Sequence, residues 1–167
     1  MVELGLAVVD DGVVLVELWV GLGEVAADVG SAGLLAEQGA AGEKKGKIVL
    51  GTVKGDLHSI GKNILKLLYE TSGFEVWDLG IDVDLFQFVD KAKEVDADII
   101  AMSALLTTTL VGQRDVIDAL KDQGQRDNFK VIIGGGATTK EWADTIGADG
   151  WAATAYEAVT LSTKLVS

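Results

Sequence analysis

The sequence predicts an α/β protein: a five-stranded parallel sheet of order 2-1-3-4-5 with helices on both faces, preceded by a short helical segment. Three observations carry this reading. From Lys47 onward, short apolar runs alternate with stretches of helical period, the pattern of strand–helix units that build a parallel sheet. The run Ile99-Ile100-Ala101-Met102 is apolar on both faces, as a strand covered by helices on either side has to be. The polar and glycine-rich turns fall after the strands, at the edge where open α/β sheets carry their ligands.

Taken in order, residues 1–46 are rich in Gly, Val, Leu, Ala and Glu, with no sustained period. Glu24 to Gln38 suits an Ala-rich helix ending near Gly39, whereas the β-branched run at Val13 to Val16 suits a strand equally well. Gly39 to Gly46 reads as a polar linker, so the chain divides into a 1–46 segment and a 47–167 domain. Ile48 to Val53 is the first strand of that domain. A helix starts at Ile60 with Ile60, Ile64, Leu67 and Leu68 on one face, and Gly73 stops it. Phe74 to Asp78 is the next strand. Leu85, Phe88, Val89, Ala92 and Val95 mark an amphipathic helix capped by Asp82 or Asp84. Asp98 to Ser103 is the third strand, followed by a helix from Leu110 to Lys121. Lys130 to Ile133 is the fourth, ending in Gly134-Gly135-Gly136. Thr138 with Glu141, and Thr154 with Glu157, fit capping boxes for the last two helices, and Asp149 to Ala152 is a short fifth strand between them. Such a sheet is flavodoxin-like or Rossmann-like, and its switch point lies between the first and third strands.

Composition narrows the partners. The 167 residues are 49% hydrophobic and 24% charged, enough to bury a core. A net charge of −12 argues against nucleic acid or an anionic membrane as partner. The apolar run Val13 to Leu22 is too short to span a bilayer and is interrupted by Glu17. No Lys precedes Lys44, so a basic signal-peptide start is missing. The expectation is a soluble, cytoplasmic chain. With no cysteine and one histidine, zinc lacks its usual ligand set, and a metal at that histidine needs a cofactor to supply the other ligands.

That histidine, His58, lies in the turn after the first strand, between Asp56 and Gly61. Gly55 to Asn63 superficially resembles a phosphate loop, but five residues separate Gly55 from Gly61, and Asn63 replaces the hydroxyl that binds magnesium. Asp56 is either a turn aspartate bonding its own backbone or the carboxylate that fixes the tautomer of a metal-binding His58. Gly61 is either turn geometry or a point of close approach to a ligand. Ser103 and Leu105 can simply end a strand, and Gly134-Gly135 can be an ordinary strand-to-helix turn.

Asp56-x-His58-x-x-Gly61, then Ser103-Ala104-Leu105, then 28 residues, then Gly134-Gly135 resembles the signature of cobalamin (B12)-binding domains that hold the cofactor with its benzimidazole tail displaced. Ser103 to Thr109, SALLTTT, and Gly147 to Trp151, GADGW, further resemble corrinoid proteins of methyltransferase systems. That resemblance implies His58 as lower axial ligand of cobalt, supported by Asp56. It implies Gly61 beside the corrin, Ser103 bonded to the tail, Leu105 packing the channel, and Gly134 and Gly135 leaving room for the nucleotide. Thr109 would bond Asp56 and complete a proton relay to His58. The implied activity is that of a non-catalytic methyl carrier, served by a methyl-donor:corrinoid enzyme and a corrinoid:acceptor enzyme. The alternatives are the cobalamin-binding subunit of a radical mutase, in which Gly-His tends to follow the serine, and a cobalamin-responsive sensor. In the family a longer helical bundle caps the cofactor, and only Ala26 to Gln38 resembles its last helix. Trp77, Trp142 and Trp151 are read as core or rim residues.

Overall fold

In the computed structural model, which describes residues 5–9, 13–17 and 44–167, the alternating pattern becomes a parallel sheet. Contacts divide the chain into two units, Met1–Leu34 and Leu35–Ser167. In the first, β1 (Gly5–Val9) and β2 (Val13–Glu17) pair antiparallel, from Gly5 opposite Glu17 to Val9 opposite Val13. The described part of this segment is therefore strand rather than helix, as the β-branched run at Val13 allowed. The helix expected over Glu24 to Gln38 lies outside the described residues.

The second unit runs β3 (Gly46–Thr52), α1 (Ile60–Thr71), β4 (Phe74–Asp78), α2 (Leu85–Val95), β5 (Ile99–Ser103), a 3-10 turn at Thr107–Thr109, α3 (Leu110–Asp122), β6 (Lys130–Gly134), α4 (Lys140–Ile146), β7 (Gly150–Ala152) and α5 (Ala155–Val166). The strands are parallel in the order β4-β3-β5-β6-β7, which is the 2-1-3-4-5 order. Side chains alternate between two cores. Ile48, Leu50, Ile99, Ala101 and Ile132 face α1 and α5 together with Tyr69 and Ala158. Val49, Val53, Ile100, Met102, Val131 and Ile133 face α2, α3 and α4 with Phe88, Ile117 and Ile146. Among the described residues no helix is long and apolar enough to cross a membrane.

Three local expectations are corrected. Gly46 begins β3 instead of closing a linker. The N-cap of α4 is Thr139, not Thr138: its hydroxyl accepts from Trp142 N at 3.1 Å. For α5 the cap is Thr154 as expected, but Glu157 returns its carboxylate to Ala153 N at 3.0 Å. For α2 the choice falls on Asp84, which accepts from Phe86 N while Gln87 Oε1 accepts from Asp84 N. The largest difference is the rotation of α1. Ile60, Ile64 and Leu67 are exposed, and the buried residues are Lys62 and Tyr69. Lys62 can be buried because its ammonium meets Asp78 Oδ1 and Oδ2, each at 2.7 Å, and Asn63 Oδ1 at 2.8 Å. The Tyr69 hydroxyl bonds Ser162 Oγ at 2.7 Å. Burial pushes the Tyr69 phenol up to about 12, partly offset by that bond.

Gly51 lies where β3 passes α2, and a Cβ there would stand 2.8 Å from Phe88 Cζ and 2.9 Å from its Cε1. Phe88 is fully buried and cannot swing away. Gly51→Ala should therefore cost about 1–3 kcal/mol, read as a lower urea midpoint with an unchanged slope.

Candidate functional site

The strand-to-helix turn after β3 is built around Asp56. Thr52 Oγ1 donates to His58 O at 2.9 Å, and Asp56 N donates to Val53 O at 3.1 Å, closing the turn. Gly55 takes φ +81, a conformation that glycine enters without a Cβ penalty. Its N–H donates to Asp82 Oδ1 at 2.8 Å, Lys54 pairs with Asp82 Oδ2 at 3.0 Å, and Asp82 N donates back to Asp56 O at 3.0 Å. Asp82, weighed above as a helix cap, thus fastens the histidine turn instead.

The Asp56 side chain has no solvent exposure. Its Oδ1 accepts from His58 Nδ1 at 2.8 Å and His58 N at 3.1 Å. Its Oδ2 accepts from Leu105 N at 2.7 Å, Leu106 N at 3.3 Å and Thr109 Oγ1 at 2.8 Å. Burial alone would raise the pKa of this carboxyl. The donors from Leu105, His58 and Thr109 outweigh it and hold the group far below the usual carboxylate range. A neutral His58 bonded in this way carries its proton on Nδ1 and leaves Nε2 as the free lone pair. The imidazole is half exposed, at 52%.

His58 borders a cavity of about 720 Å³ between α1, α5 and the carboxyl ends of β3, β5 and β6. From Ile60 to Tyr69 the α1 wall is about 14 Å long at 1.5 Å per residue, and both of these residues line the cavity. The interior is largely apolar, with Leu50, Ala101, Ile132, Ala152 and Ala158 among its walls. Ser103 and Leu105 also line it. Ser103 is half-buried, and the alternation along β5 turns it to the same face as Ile99 and Ala101.

The glycines define the walls. Gly61 sits in the first turn of α1, and a Cβ there would meet no protein atom within 4 Å. Glycine inside a helix costs roughly 0.5–1 kcal/mol relative to alanine, so turn geometry does not explain it. Gly135, at φ +113, would bring a Cβ to 2.2 Å from Ala104 O, so only glycine fits. Gly134 also borders the cavity, and its Cβ would lie 3.2 Å from Ala152 O.

The structure thus brings Asp56, His58, Gly61, Ser103, Leu105, Thr109, Gly134 and Gly135 to one edge of the sheet. Sequence reasoning missed Lys62, which lines the cavity from a buried position, because it assigned the buried face of α1 by apolar residues. It also missed the Leu105 and Leu106 amides, which are invisible to any side-chain pattern. Among the described residues no group of three or more His, Cys, Asp or Glu could hold a metal ion.

Comparison with known proteins places this geometry. The B12 binding domain family matches residues 46–160. The chain belongs to that family. This B12-binding domain is 56% identical over 125 residues to a corrinoid protein of Desulfitobacterium hafniense, covering 75% of this chain and 58% of the relative's length. It is 52% identical over 148 residues to dimethylamine corrinoid protein 3 of Methanosarcina mazei, covering 86% of this chain and 89% of that protein. Among solved structures it resembles the methanol:cobalamin methyltransferase complex MtaBC of Methanosarcina barkeri, with a TM-score of 0.70 and 28% identity, over 78% of this chain and 50% of that one.

The charge on Asp56 makes stability depend on acid. Its folded pKa is depressed below the ordinary carboxylate value of about 4, so its stabilisation is present above that pH and is lost as pH falls through the folded value. Asp56→Asn should lower stability at pH 7 by about 2 kcal/mol and flatten the decline between about pH 4 and pH 2. Urea denaturation of both forms across that range measures it.

Proposed function

We propose that this B12-binding domain is a methyl carrier that holds a corrinoid base-off, with His58 as lower axial ligand, and presents it to partner methyltransferases. The observation that carries the reading is the 2.8 Å bond from His58 Nδ1 to a fully buried, charged Asp56, beside a cavity that the protein leaves open at Gly61. The residues fit such a cofactor. Gly61 has space where a Cβ would intrude on a ligand, and the imidazole is half exposed with Nε2 free.

When bound, the corrinoid supplies a cobalt centre that accepts and releases a methyl group. The chain's own contribution is binding, orientation and proton placement. Asp56 fixes the tautomer of His58 and leaves Nε2 as the ring atom free to bind. Thr109 has one hydroxyl proton and two acceptors in reach, Asp56 Oδ2 at 2.8 Å and Leu106 O at 2.9 Å. The charged carboxylate is the stronger of the two. Thr109 therefore donates its proton to Asp56, which completes a Thr109–Asp56–His58 chain of hydrogen bonds around a charged carboxylate. Ser103 Oγ would bond the displaced tail base, Leu105 would pack the channel, and Gly134 and Gly135 would admit the nucleotide. The carrier reading, and methyltransferase partners with it, is supported by the corrinoid proteins named above and by MtaBC. Leu57, Ile60 and Leu106, exposed around His58, give the apolar surroundings that such docking uses.

The deciding experiment labels the only histidine with nitrogen-15 and records the electron paramagnetic resonance spectrum with cob(II)alamin bound. Doublet splitting of the cobalt lines places His58 on the metal; persistent triplets mean that the tail base still holds it. Gly61→Ala separates fold from function by sign. It should stabilise the apoprotein by roughly 0.5–1 kcal/mol while weakening cobalamin binding by about tenfold or more, the scale of one steric misfit. Urea denaturation and fluorescence titration give the two numbers.

A further inference from the structure

A cavity wall made of consecutive glycines is difficult to hold in place. Gly134, Gly135 and Gly136 have no side chains to anchor them, and glycine has the most backbone freedom to lose. Each of the first two carbonyls is held by a backbone donor and a side-chain donor. Gly134 O accepts from Ala104 N at 3.0 Å and from Gln113 Nε2 at 3.3 Å. Gly135 O accepts from Thr138 N at 2.9 Å and from Thr138 Oγ1 at 2.7 Å. Gln113 Nε2 also reaches Met102 O at 3.2 Å, joining the ends of β5 and β6.

Both side-chain donors are oriented by an indole. Trp142 Nε1 donates to Gln113 Oε1 at 3.0 Å, and Trp151 Nε1 donates to Thr138 Oγ1 at 3.0 Å. An indole N–H can only donate. Trp142 therefore fixes which end of the Gln113 amide is oxygen, turning the NH₂ toward Met102 and Gly134. Trp151 forces the Thr138 hydroxyl to accept, so its single proton goes to Gly135 O. Gln113 is fully buried and Thr138 is nearly so. The two tryptophans pack with the core on the α2, α3 and α4 side of the sheet, opposite the α1 and α5 face that borders the cavity.

We infer that Gln113 and Thr138 are positioning residues for the nucleotide-tail part of the cavity, each locked by a tryptophan on the far side of the sheet. The inference rests on the corrinoid reading above and adds to it the residues that hold the glycine wall open. The chemistry they serve is recognition of the tail, separate from ligation of cobalt by His58.

The test compares cobalamin with cobinamide, the corrinoid without its nucleotide tail. Thr138→Val keeps the shape and removes the hydroxyl. It should weaken cobalamin binding by about tenfold, the scale of one lost hydrogen bond, leave cobinamide binding unchanged, and be rescued by Thr138→Ser. Parallel loss of both ligands, or loss of neither, overturns the positioning role. If Thr138→Val does not fold, the wild-type protein labelled with nitrogen-15 at its tryptophans still decides the matter. The indole resonances of Trp142 and Trp151 should shift with methylcobalamin and not with methylcobinamide, while Trp77, on β4, stays still. Equal shifts with both ligands, or no shift with either, overturn the inference. A wild-type chain that binds neither corrinoid overturns the corrinoid reading itself and this inference with it.

Discussion

One buried carboxylate joins the three segments of the site. Asp56 takes both of its histidine bonds on one oxygen, and takes Leu105, Leu106 and Thr109 on the other. An unpaired charge in that position would be severely penalised by burial, so the turn after β3 and the loop after β5 are tied to each other through it. Ala104, between Ser103 and Leu105, then bonds Gly134 O, which carries the same constraint to the loop after β6. The site is a chain of obligatory hydrogen bonds across three strand ends, and its geometry follows from the need to satisfy a single charge.

Around that chain the protein keeps volume open. Small residues at Ala101, Ala152, Ala158 and Gly134 line the cavity, and Gly61 faces empty space. Close-packed interiors do not ordinarily forgo contacts of this kind. Open volume between two helices at the carboxyl edge of a parallel sheet is where such folds place their ligands. The buried Lys62–Asp78 pair beside α1 has the opposite character. All three ammonium hydrogens are taken by Asp78 and Asn63, so it serves the placement of the helix rather than a guest.

Much of the fold is legible in the sequence because parallel strands buried on both faces read as unbroken apolar runs, and glycines and acidic caps mark where they stop. The Phe74–Asp78 strand and the start of α1 at Ile60 stand at the expected residues. The face of α1 was not legible. Ile60, Ile64 and Leu67 form the more apolar stripe, yet the sheet takes Lys62 and Tyr69. Hydropathy cannot register that a lysine will be neutralised by Asp78 or a tyrosine satisfied by Ser162. Thr138 was misread for a related reason: as a cap it is interchangeable with Thr139, and only the indole of Trp151 distinguishes them.

By itself the sequence indicated the sheet order, because buried parallel strands alternate with helices along the chain, and its motif spacing picked out Asp56, His58, Gly61, Ser103 and Gly134-Gly135 as candidates at one edge of that sheet. Tertiary structure alone decided that the Leu105 and Leu106 amides join in holding Asp56 charged, which side of α1 is buried, and how Trp142 and Trp151 reach the glycine loop. Those depend on backbone amides and on side chains far apart in sequence, and a hydrogen bond between residues 56 and 105 leaves no mark on the composition or period of either.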